Sequence, residues 1–163
     1  MMLRAIKHVL IGGILIMTTG MAAHATANEN DLKLTIVNPQ NLYDPTTNGY
    51  STAVIVPRGA RLAYISGQGG QDSIGALSPD FAVQVKQAYA NLGAALDAVG
   101  ARRDQVAKLT VFVVDHDMSK LGVLTSAVMD MFGGTLPAQT LIPVPKLAVD
   151  GMLFEVEAVA MID

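Results

Sequence analysis

One run constrains this chain more than any other: residues 106–114, VAKLTVFVV. Ala107, Leu109, Val111 and Val113 form one face of a strand here. Thr110, Phe112 and Val114 form the other, together with Lys108. A β-branched run that is apolar on both faces is expected at the buried centre of a sheet. Only two segments have the helical period that would cover it. Phe81, Val85, Ala88, Tyr89, Leu92, Ala95, Leu96 and Val99 recur at spacings of three and four, as do Leu121, Leu124, Val128, Met131 and Phe132. Two helices cover one face of a sheet. A second apolar face then predicts a partner subunit.

The remaining elements follow from turn chemistry. Residues 34–37 read as a strand ended by Asn38-Pro39. Residues 51–56 and 61–66 read as a hairpin around Pro57-Arg58-Gly59. For the first helix, Ser78 is the expected N-cap and Pro79 the first helical residue. Asp80 complements the positive end, and Gly100 is the stop. Asp117 caps the second helix and Gly133-Gly134 end it. Short strands are expected at 140–144 and 152–161. The order is β-β-β-α-β-α-β-β. It predicts one α+β domain, with a mixed sheet of about six strands and both helices on one face.

The N-terminus has a different purpose. Arg4 and Lys7 precede an apolar stretch at 9–17 (VLIGGILIM), then small residues and two A-x-A sites at 23–27. This is the order of a secretory signal peptide, and the stretch is short for a membrane span. The expectation is a signal peptide over 1–27 and a periplasmic or secreted domain over 28–163, off the membrane once processed. Loss of Arg4 and Lys7 takes the net charge from −3 to −5, and His116 becomes the last histidine in a chain without cysteine. A zinc site and a Ser-His-Asp or Cys-His system then lack parts. No basic patch suggests a nucleic acid partner. Gly69-Gly70 are not followed directly by a helix, so they do not read as a phosphate loop. His116 reads as a surface turn residue, and Met118, Met129 and Met131 as packing.

Six short motifs point in one direction. They are Gly49-Tyr50-Ser51, Ile65-Ser66-Gly67-Gln68, and Asn91-Leu92 running on to Gly100. Lys108-Leu109-Thr110-Val111-Phe112-Val113, Pro137-Ala138 and Phe154-Glu155-Val156-Glu157-Ala158 complete the set. In this order, over about residues 38–160, they resemble the reactive-intermediate deaminase family, also called RidA or YjgF. The resemblance implies a chorismate-mutase-like fold and a homotrimer whose sheets line a central barrel. It also implies small-molecule sites in clefts between subunits. There the family hydrolyses enamines and imines such as 2-aminoacrylate to keto acids and ammonia, with no metal or organic cofactor. Some members are described instead as endoribonucleases, translation inhibitors or chaperones.

The same resemblance assigns roles. Glu155 is the proton-handling carboxylate, and Tyr50 and Ser66 line the cleft. Thr140 offers a backbone N–H to a ligand oxygen. The residue after Pro137-Ala138 is, in the family, an arginine that clamps the substrate carboxylate. Here it is Gln139, which has neither the charge nor the fork of a guanidinium. One extra residue lies between Gln139 and Glu155 relative to the family pattern. Two expectations result: an exported imine deaminase weakened by Gln139, or a periplasmic ligand-binding trimer that recognises a less acidic ligand or has lost catalysis.

Overall fold

The computed structural model describes residues 33–162. The expected signal peptide and the first residues after it lie outside that range. The apolar run is strand β4 (Val106–Val114), at the interior of a four-stranded sheet. Its neighbours are β6 (Phe154–Ile162), antiparallel, and β5 (Ala138–Val144), parallel. β3 (Arg61–Gly69) completes the order β3-β6-β4-β5 by pairing antiparallel with β6. Helix α1 (Phe81–Ala98) packs over β3 and β6, and α2 (Leu121–Phe132) lies beside it.

Both helices bury one face of the sheet. Leu109, Val111 and Val113 of β4 join Phe154, Val156 and Ala158 of β6, beneath Leu92 and Leu96 of α1 and Leu124 and Val128 of α2. Phe154 stacks on Tyr89 with ring centroids 5.8 Å apart and meets Phe81 edge-on at 6.4 Å. The opposite face is apolar but unfinished. Tyr64 is 77 % exposed, Leu62 41 % and Ile142 37 %, around Phe112 and Val159. This two-sided apolar character is the one expected from the β4 run.

Three expectations are corrected. The six strands form two sheets, not one: β1 (Thr35–Val37) and β2 (Ala53–Ile55) make a separate antiparallel ribbon. The segment 51–56 does not hairpin with 61–66, although Pro57 to Ala60 does form a turn. Ser51 explains this. Its N–H donates to the Pro137 carbonyl at 2.9 Å and its hydroxyl to the Leu136 carbonyl at 2.7 Å. These bonds fix the chain beside β5, at the sheet edge opposite β3. The third correction is the start of α1, where Asp80 is the N-cap and accepts the Val83 N–H at 2.9 Å. Ser78 caps one step upstream, accepting the Asp80 N–H. At the other end Gly100, with φ of 75°, stops the helix as expected.

Two amides of α1 position the loops of the sheet. Gln84 is fully buried. Its Nε2 donates to the Ser78 and Gly151 carbonyls, and its Oε1 accepts the Leu153 N–H. Asn91 donates to the Gly69 and Gln71 carbonyls at 2.9 and 2.8 Å, tying the loop after β3 to the helix.

Candidate active site

Glu155 and Gly67 form the best-defined contact. Register places Glu155 opposite Phe112 of β4 and Gly69 of β3, on the face away from the helices. Between Ile65 and Gln68 the β3–β6 pairing shifts by one residue. Such a bulge re-aims side chains. A Cβ built on Gly67 would stand 1.6 Å from Glu155 Oε1, so the carboxylate occupies the space a side chain would need. Ser66 precedes Gly67, exposed, with its carbonyl accepting from Gln68 Nε2. Glu155 also lines a cavity of about 540 Å³ with Gln68, Gln71, Gln87, Asn91 and Met152. Four neutral amides, Gln68, Gln71, Gln87 and Asn91, stand in its walls beside a second carboxylate, Asp72, and such polar walls suit a small polar molecule.

The other expected residues gather elsewhere. Tyr50 follows Gly49, whose φ of 80° is left-handed, and precedes the anchored Ser51. It therefore lies at the β5 edge. Gln139 is opposite Leu109, on the face toward the helices, and its Oε1 is buried with no hydrogen-bond partner among the described residues. Thr140 is opposite Thr110, on the other face, and its hydroxyl accepts from Lys108 Nζ at 2.5 Å. Thr110 also faces Glu157. Strand spacing and rise then put Thr140 roughly 12 Å from Glu155. Within one chain the structure seats Glu155 against Gly67 next to Ser66, whereas Tyr50, Gln139 and Thr140 lie along the β5 edge, with Gln139 and Thr140 on opposite faces of the sheet.

Lys108 was not singled out from sequence. Burial lowers its pKa, opposed in part by the charge of Glu157. Its place beside Thr140 depends on the parallel β4–β5 pairing, which periodicity alone does not reveal. His116 lies outside both groups, just after β4; it is half-buried rather than a surface residue, and its enclosed Nδ1 has no hydrogen-bond partner among the described residues. Among the described residues there is no cluster of three His, Cys, Asp or Glu side chains suited to a metal, and no helix long and apolar enough to cross a membrane.

A family model described as endoribonuclease L-PSP matches residues 42–162. The chain belongs to this family, also known as RidA or YjgF. A mouse relative named 2-iminobutanoate/2-iminopropanoate deaminase is 40% identical over 114 residues, covering 69% of this chain and 80% of the relative. The Escherichia coli RutC family protein YjgH is 33% identical over 113 residues, covering 69% of this chain and 82% of its own. Among solved structures, the Rid-family protein YyfB of Yersinia pestis superposes with a TM-score of 0.76 at 30% identity, covering 80% of this chain and all of that one. The RidA fold is thus a mixed α+β single domain here, with two helices on one side of a mixed sheet.

Proposed function

We propose that this RidA-family chain hydrolyses small enamines and imines to carbonyl compounds and ammonia, at clefts completed by neighbouring subunits of a homotrimer. One observation carries the reading: Glu155 seated against Gly67, facing a cavity whose walls include four neutral amides. An enamine first tautomerises to its imine. Water then adds to the imine carbon, the C–N bond of the carbinolamine breaks, and nitrogen leaves as ammonia. Glu155 takes the proton of the attacking water and returns it to nitrogen.

The division of the site supports the assembly. Tyr50, Gln139 and Thr140 lie toward the β5 edge, and Ser66 and Glu155 toward β3 and β6. A single cleft needs one group from each of two subunits. The exposed Tyr64, Leu62 and Ile142 supply an apolar face for the same contact. Gln139 sets the substrate class. A neutral amide does not repay the desolvation of a carboxylate as a guanidinium does, so imines without a carboxylate are the better substrates.

The test is ammonia release from freshly generated imines, with and without a carboxylate, by the parent protein, Glu155→Gln and Gln139→Arg. We expect turnover of the neutral imine, its loss in Glu155→Gln, and a gain on the imino acid of about 10- to 150-fold in Gln139→Arg. Absence of turnover in all three overturns the deaminase reading in favour of a binding trimer. The unsatisfied Oε1 of Gln139 favours that second reading, because it is free to accept from a ligand N–H.

A further inference from the structure

On the helical side of the sheet, α1 and α2 together line a groove of about 1030 Å³. That volume is at the upper end of clefts that take small molecules. Its walls are Ala90, Gly93 and Ala94 of α1 and Gly122 and Ala127 of α2. Small walls provide space but no direction. Direction comes from Tyr89, which lines the groove between these exposed alanines and the core. Tyr89 is only 6 % exposed, and its hydroxyl is enclosed with no hydrogen-bond partner among the described residues. An unpaired buried hydroxyl is costly and calls for a partner. Burial also raises its pKa, so it remains a protonated donor.

The rim has two charges of each sign: Lys86 and Arg103, Asp97 and Asp130. Arg103 is engaged with both carboxylate oxygens of Asp97 and with the Gly93 carbonyl. The groove therefore offers no net charge to a ligand.

We propose that the groove between α1 and α2 is a second ligand site, which takes an uncharged molecule with an apolar body and one carbonyl-type acceptor for the Tyr89 hydroxyl. It is separate from the Glu155 cavity, with which it shares no lining residue, and does not depend on deaminase activity. The probe is 6-propionyl-2-(dimethylamino)naphthalene, a neutral aryl ketone whose emission reports both polarity and hydrogen bonding at its carbonyl. Titrated into the purified protein, it should saturate at one molecule per chain with blue-shifted emission. Tyr89→Phe should weaken binding about 3- to 10-fold and move the bound emission further to the blue, because the ketone loses its donor. Ala90→Leu fills the groove from an exposed helical position and should weaken binding at least as much. Circular dichroism and melting check that both variants fold. Non-saturating fluorescence overturns the proposal, as does saturable binding that neither substitution changes.

Discussion

The contact between Gly67 and Glu155 makes Gly67→Ala a sharp perturbation. An alanine Cβ would stand 1.6 Å from Oε1, 2.5 Å from Cδ and 2.8 Å from Cγ of Glu155. Non-bonded atoms do not approach within 3.0 Å of a Cβ, so Oε1 must move by at least about 1.4 Å. The backbone allows the change, since Gly67 is not among the glycines with positive φ. Alanine in place of glycine in a strand adds about 0.5–1 kcal/mol through chain entropy. Driving Glu155 off its rotamer costs about 0.5–1.5 kcal/mol. The two nearly cancel, so Tm should change by only about 3 °C or less. Catalysis is far less tolerant, because a misplacement of about 1 Å costs on the order of 100-fold. Ammonia release from a neutral imine should therefore fall about 100-fold in a protein that melts like its parent. Turnover within a factor of about three of the parent, at unchanged Tm, would refute Glu155 as the proton carrier at this position.

Asn91→Ala removes both hydrogen bonds that tie the loop after β3 to α1. Amide hydrogen exchange at residues 69–72 should rise, with a stability loss of about 1–3 kcal/mol by chemical denaturation. Asp117 does not cap α2 itself, contrary to expectation, but the short 3-10 turn Met118–Lys120 that leads into it; it accepts from the hydroxyl and N–H of Ser119, which hold its pKa below the ordinary 3.8. A lowered folded-state value means the cap is fully formed above 3.8 and is lost as pH falls through that lower value. The Tm difference between the parent and Asp117→Ala should shrink accordingly as pH drops below 3.8. Light scattering on the processed protein should give three times the protomer mass. N-terminal sequencing of that protein should begin near Thr26 or Asn28.

How much of this was legible in the sequence depended on how local the physics was. The β4 run and the end of α1 at Gly100 matched because a β-branched stretch and a left-handed glycine carry their own reasons. The start of α1 moved from Ser78 to Asp80 because two adjacent caps compete, and only Asp80 reaches a helical N–H. The misplaced hairpin is a non-local error. Pro57-Arg58-Gly59 forms a turn as its composition demands, but what lies beside residues 53–55 is decided by Ser51, bonded to Leu136 and Pro137 more than 80 residues away. No periodicity in 51–66 reports that bond.

The site shows the same limit more finely. Ile65-Ser66-Gly67-Gln68 and Phe154-Glu155 are recognisable as motifs, yet which residue faces the carboxylate is set by the bulge. With Ile65 opposite Ala158, an unbroken antiparallel register would bring Gln68 opposite Glu155. The side chain of Gln68 would then compete for the space in front of the carboxylate. One extra residue in β3 moves Gln68 opposite Val156 and Gly69 opposite Glu155, with Gly67 on the same face. Two glycines, not a glutamine, therefore border the carboxylate. That leaves Glu155 packed against backbone and open to the cavity, the arrangement a proton carrier for a small substrate requires. The proposed chemistry rests on an insertion of one residue, whose effect appears only once β3 and β6 are paired.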